Sequence, residues 1–125
     1  MRDAGPLRCL IVDDNAGFLR SARLLLEGEG IAVVAVASTG DEALREAEAA
    51  GPDVVLVDID LGGESGFEVV GRLHGGLGRS PSDVILISTH AEDDFADLIA
   101  ATPVAGFISK SHLSARSIHC LLDQR

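Results

Sequence analysis

Short apolar runs alternate along the chain with segments in which apolar residues return every three or four positions. The runs are Cys9-Leu10-Ile11-Val12, Ile31 to Val36, Val54 to Val57, Val84 to Ile87 and a weaker Gly106-Phe107-Ile108. Most of their residues are β-branched, and none of the runs alternates apolar with polar. A strand with one wet face would alternate, so these read as parallel strands covered on both faces. Between them, Phe18, Ala22 and Leu25 form one helical stripe, broken at Gly28 and Gly30. Ala43, Ala47 and Ala50 form a second, closed by Gly51-Pro52, with Thr39 and Glu42 spaced as a capping box. Ser65 and Glu68 have the same spacing ahead of a third helix carrying Phe67 and Val70. Phe95, Leu98 and Ile99 mark a fourth, its first turn holding Glu92, Asp93 and Asp94 where carboxylates suit the helix dipole. Ile118, Leu121 and Leu122 mark a fifth, with Ser114 as its cap.

The pattern is β-α repeated five times, which predicts an α/β fold: a doubly wound, five-stranded parallel sheet with right-handed crossovers and helices on both faces. At 125 residues the chain has the length of one domain. Hydrophobic residues make up 46% and charged residues 24%, a globular balance. The formal charge of -10 repels phosphate backbones, which argues against direct nucleic-acid contact. No apolar run is long enough to span a membrane, and Met1 to Pro6 holds no signal core, so a cytoplasmic location is expected. Cys9 and Cys120 lie in apolar stretches and read as reduced core thiols. His74, His90, His112 and His119 lack metal-ligand spacing, and Gly62-Gly63 and Gly75-Gly76 read as turns.

In a sheet of this kind ligands sit beyond the carboxyl ends of the strands. Those ends carry Asp13-Asp14, Asp58, Ser88-Thr89 and Ser109-Lys110. Singly, each is an ordinary turn or cap residue. Together, with strands one and three adjacent, they crowd three acids. Two like charges about 4 Å apart cost roughly 4 kcal/mol at an effective dielectric of about 20, more than capping warrants. A divalent cation resolves the crowding, and all-oxygen ligands suit Mg²⁺, with Mn²⁺ as a substitute.

With Leu10-Ile11-Val12-Asp13-Asp14-Asn15, Val57-Asp58-Ile59-Asp60-Leu61 through Gly66, Leu86-Ile87-Ser88 and Phe107-Ile108-Ser109-Lys110 in this order, the chain resembles the receiver domain of bacterial two-component response regulators. The likeness runs from Leu7 to about Leu122, within one receiver domain spanning residues 1–125. It implies a flavodoxin-like fold with strand order 2-1-3-4-5. It implies that Asp58 takes a phosphoryl group from a phosphohistidine on a sensor histidine kinase. On this resemblance Asp13, Asp14 and Asp58 hold Mg²⁺, and Asp60 adds its backbone carbonyl. Lys110 pairs with Asp58 and then with the phosphoryl group. Ser88, followed by Thr89, donates a hydroxyl to a phosphoryl oxygen, and Phe107 turns inward as Ser88 moves. Phe107 also reads as a fixed core residue. The protein would then be a phosphoacceptor switch and not a turnover enzyme.

The resemblance further implies dimerisation or partner docking on the surface of the fourth helix, fifth strand and fifth helix, from about Ala91 to Leu122. Acids at Glu92, Asp93, Asp94 and Asp97 could meet Arg116 across a dimer, or could simply form a solvated acidic face. Asp60 and His90 flank the pocket, as tuners of acyl-phosphate hydrolysis or as plain loop residues. Ser111 stands where many receivers have proline after the lysine, which bears on whether the Lys110-Ser111 peptide is cis. Gly62 replaces a common proline and is expected to loosen the loop after Asp58. Chain length leaves two forms open, a stand-alone receiver or the N-terminal receiver of a transcription regulator. The alternative function is a small haloacid-dehalogenase-type phosphatase using Asp58-x-Asp60, although that motif should follow the first strand. A flavin binder of the same fold would need an aromatic stack and a phosphate loop that the sequence lacks.

Overall fold

The computed structural model describes residues 5–76, 83–90 and 92–124. Met1 to Ala4, Ala91 and Arg125 lie outside the described residues. Five strands, β1 (Arg8–Val12), β2 (Ala32–Ala37), β3 (Val54–Asp58), β4 (Asp83–Ser88) and β5 (Gly106–Ser109), form one parallel sheet in the order β2-β1-β3-β4-β5. Helices α1 (Ala16–Gly28), α2 (Gly40–Ala50), α3 (Gly66–Gly76), α4 (Ala96–Ala100) and α5 (Ala115–Asp123) connect and cover it. The expected fold class and strand order are therefore present.

The unbroken apolar runs have the expected cause. Along β1, Cys9 and Ile11 pack on one side with Ala22 and Leu26 of α1 and Ala115 and Ile118 of α5. Leu10 and Val12 pack on the other with Ala43 and Ala47 of α2 and Val69, Val70 and Leu73 of α3. Both faces of the central strands are thus dry. Each fully buried Leu, Ile or Val there contributes about 1.5–3 kcal/mol. Burial also pushes the Cys9 thiol up to about 12, leaving it protonated and inert.

Several local expectations are corrected. In α1 the buried positions are Ala22 and Leu26, while Leu25 is exposed. The stripe therefore runs at i, i+4, i+8 from Phe18. Cys120 is exposed, not a core thiol. It follows Ile118 by two residues, about 200° round the helix from the buried face. Gly75 and Gly76 end α3 and do not form a separate turn. The fourth helix is shorter than its stripe, because Glu92–Phe95 winds as a 3-10 helix before α4 begins.

The caps divide likewise. Thr39 Oγ1 accepts from Glu42 N, but the Glu42 carboxylate accepts from Ser38 N and not from the cap itself. Ser65 accepts from Phe67 N, so its pairing with Glu68 is not a capping box. Ser114 caps α5 with Ser117 in a full reciprocal box.

Candidate functional site

The site follows from strand register. Val12 lies beside Val57, so the residues after them, Asp13 and Asp58, emerge next to one another at the carboxyl edge. Ser88 lies beside Ser109, which sets Lys110 one step beyond. Carboxylate oxygens of Asp13, Asp14 and Asp58 fall within 4.8 Å of one another. Asp13 and Asp58 are buried, at 0% and 5% exposure, whereas Asp14 faces solvent. Lys110 Nζ stands 2.6 Å from Asp13 Oδ2 and 3.3 Å from Asp58 Oδ2.

This electrostatic arrangement is unfinished. One cation faces three carboxylates. Asp13 Oδ1 accepts from Asn15 N, and its buried Oδ2 has the Lys110 ammonium at 2.6 Å as its close partner, an ammonium that also serves Asp58. Burial, then the Asp13 charge, pushes the Asp58 carboxyl up to about 6, against the opposing pull of Lys110 and the Asp60 N–H. Burial draws the Lys110 ammonium down, but the carboxylates of Asp13 and Asp58 outweigh it and its pKa is raised. Three carboxylates gathered at one edge, two of them buried and sharing a single ammonium, fit a hard divalent cation, which takes oxygen ligands.

The loops around the acids are tightly specified. Asn15 caps α1 by accepting from Phe18 N, which holds the first turn of that helix at the sheet edge. Beyond Asp58, Asp60–Leu61 and Glu64–Ser65 form a two-residue antiparallel ladder with Gly62-Gly63 at its tip. Gly62 has φ +72°, a left-handed conformation closed to proline. A Cβ there would also stand 2.9 Å from Asp14 Oδ2. The glycine therefore forms the left-handed corner of a hairpin against the acids, a conformation that proline could not take. The Lys110-Ser111 peptide is trans, and Lys110 still reaches both carboxylates.

The remaining candidates fall around this centre. Ser88 is buried, and its Oγ accepts from His90 N at 2.9 Å, with the His90 ring Nδ1 at 3.4 Å. Thr89 is exposed. The exposed Asp60 contributes its backbone N–H to Asp58 Oδ1 at 3.2 Å. The His90 ring meets Phe95 edge-on, with centroids 5.7 Å apart. Phe107 is half-buried against the cluster on the α2–α3 side. Two features went unread in the sequence. Phe18 lies beneath Lys110, and Glu64 accepts from Gly40 N, tying the hairpin to α2. Phe18 was legible as an aromatic in the first turn after Asp13-Asp14, a turn that must lie over the strand ends.

Comparison with known proteins identifies the family and matches the fold. Residues 9–121 match the response regulator receiver domain family. The response regulator GacA of Pseudomonas viridiflava is 33% identical over 108 residues, covering 83% of this chain and 48% of GacA. The transcriptional regulatory protein KdpE of Mycobacterium tuberculosis is 40% identical over 92 residues, covering 74% of this chain and 38% of KdpE. The chain thus spans less than half the length of these curated relatives. Among solved structures, the signal receiver domain of NarL from Mycobacterium tuberculosis superposes with a TM-score of 0.80 at 26% identity, covering 95% of this chain and 98% of that one. The family match leaves the haloacid-dehalogenase reading without support. The chain belongs to the receiver domain family of two-component response regulators, a family of signalling domains.

Proposed function

We propose that Asp58 is the phosphoacceptor and takes its phosphoryl group from a phosphohistidine of a sensor histidine kinase in a Mg²⁺-dependent reaction. The observation that carries this reading is the buried Asp58 carboxylate, lying with Asp13 and Asp14 within 4.8 Å and facing Lys110 at 3.3 Å. A carboxylate oxygen of Asp58 forms the new O–P bond as the P–N bond of the donor breaks and the imidazole leaves with the electron pair. Phosphoryl transfer of this kind is driven by positioning and charge neutralisation. Asp13, Asp14, Asp58 and the Asp60 carbonyl would hold the ion, which would offset negative charge on the phosphoryl oxygens; Mn²⁺ would be a substitute. Lys110 neutralises the opposite side. The Ser88 oxygen is already engaged by His90 N, which leaves its hydroxyl proton to donate to a phosphoryl oxygen.

The acyl phosphate then biases Ser88 and Thr89 towards the site and Phe107 inward, altering the face of α4, β5 and α5 as a docking or homodimer surface. Asp60 and His90 tune hydrolysis of the acyl phosphate by guiding or blocking water. The chain catalyses only its own phosphorylation and dephosphorylation. The reading takes residues 1–125 as one receiver domain with a core at about 7–122, cytoplasmic and making no nucleic-acid contact of its own. Among the described residues no helix is long and apolar enough to cross a membrane. It acts alone through protein contacts or as the receiver of a transcription regulator. The names and lengths of the relatives support the second form.

The test is incubation with acetyl phosphate and Mg²⁺, followed by intact mass and sizing. One stoichiometric label in wild type, lost with chelator and in Asp58→Ala, is expected. A label that persists in Asp58→Ala overturns the assignment.

A further inference from the structure

Lys110 is the single lysine of the chain, and its ammonium has a third neighbour besides the two carboxylates. Nζ lies 4.4 Å from the centroid of the Phe18 ring, within cation–π range. The Lys110 side chain is only 14% exposed, so the contact is largely screened from water, where such attraction is strongest. Phe18 is itself held: its N–H is bonded by the Asn15 cap, and its ring packs against the core cluster on the α1–α5 side.

The three contacts differ in kind. Asp13 Oδ2, at 2.6 Å, is the nearest partner of Nζ, but Asp13 also belongs to the carboxylate cluster suited to a divalent cation. An ion and an ammonium compete for that one carboxylate and repel each other. Asp58 is the group that must react. The face of Phe18 offers negative potential without being a ligand to anything, so it can hold the ammonium whichever way Asp13 is used. A lysine without such a rest would have four flexible torsions and two carboxylate partners, one of them contested and the other the reacting group.

We propose that Phe18 is a positioning residue for the phosphoryl-transfer reaction: its ring face seats the Lys110 ammonium beside Asp58 when Asp13 is given over to the metal ion. The proposal rests on the reading of Asp58 as phosphoacceptor, and the two can fail separately.

Because the chain has one lysine, lysine-selective ¹³C labelling yields a single side-chain signal set, so Lys110 can be followed without assignment. In wild type its ε-methylene protons are expected upfield of a solvated lysine through the ring current of Phe18, both in chelator and in Mg²⁺. Phe18→Leu keeps apolar bulk but removes the ring. It should abolish that shift and slow labelling by acetyl phosphate about tenfold, while Phe18→Tyr keeps the shift and a rate within about twofold. A Lys110 signal unshifted in wild type, or one unchanged in Phe18→Leu, overturns the proposal. So does Phe18→Tyr that labels as slowly as Phe18→Leu, since the ring would then serve packing alone. Should Phe18→Leu fail to fold, trifluorophenylalanine at position 18 keeps ring bulk while draining the face of negative potential. The same slowing is then expected, and an unchanged rate overturns the proposal. The labelling of Asp58→Ala decides the phosphoacceptor reading separately, because the resonance measurement requires no phosphorylation.

Discussion

At the amino ends of β1 and β3, charged groups meet partners. The backbone N–H of Arg8 donates to Asp53 Oδ2 at 2.9 Å, and its guanidinium donates to the carbonyls of Ala50 and Gly51 at 2.7 Å each, closing the carboxyl end of α2. At the carboxyl ends of the same strands three carboxylates gather, and the buried pair, Asp13 and Asp58, shares one ammonium. Both ends belong to one sheet with a common core. The first is arranged to satisfy backbone groups that helix termini leave open. The second retains an excess of negative charge that only a further cation can balance. A fold can carry such a deficit when the rest of it is well satisfied, and the deficit marks where a ligand belongs.

The largest test of this contrast presses on the backbone of the deficient end. A Cβ on Gly66 would overlap the carbonyl oxygen of Asp58 and crowd Ile59 Cα at 2.8 Å, both backbone atoms that cannot swing aside. Gly66→Ala should cost about 4 kcal/mol in denaturant unfolding and displace Asp58, so that Mg²⁺ no longer stabilises the variant. A Gly66→Ala protein with wild-type stability would show that this loop yields easily and holds no geometry.

The opposite end is probed through Arg8→Ala, which removes the guanidinium bonds to Ala50 and Gly51 while keeping the backbone N–H. A loss of about 1.5 kcal/mol is expected, equal in Mg²⁺ and in chelator. If the loss depended on Mg²⁺, the two ends would be coupled and the comparison would have to be redrawn.

The smallest effect sharpens the charge deficit itself. The Asp58 carboxyl is raised to about 6 from an ordinary value of 3.8. Between these values the folded chain binds more protons than the unfolded one, so stability falls as pH rises from about 4 to about 6. The cost is fully present above about 6 and absent below about 4. Asp58→Asn should therefore stabilise the metal-free protein at neutral pH by about 1 kcal/mol after solvent screening and flatten the pH slope in that window. Mg²⁺ should offset the same cost in wild type and leave Asp58→Asn nearly unmoved in thermal unfolding. A wild-type profile that is flat between pH 4 and 6 in chelator would remove the premise.

The expectations that failed share a cause. Each depended on the angular phase or reach of a single side chain. Cys120 and Leu25 sit in apolar stretches, yet a rotation of one or two residues turns them outward. Ser65 has capping-box spacing, but the ladder opposite Asp60 holds it in a strand, and its oxygen turns to Phe67 N. Phe18 keeps its place in the helix stripe, and the approach of α1 to the end of β5 additionally brings it under Lys110.

By itself the sequence determined the architecture and the chemical inventory of the site. Dry apolar runs spaced by helical stripes admit little but a parallel sheet covered on both sides. The acids, the hydroxyl and the lysine stand directly after those runs, so they must come out at one edge. Tertiary structure alone decided which carboxylates share the ammonium, how far the Asp58 proton affinity rises and what supports the ammonium. Those properties depend on distances of a few ångströms between residues up to a hundred positions apart. Packing sets such distances, and no pattern along the chain encodes them directly.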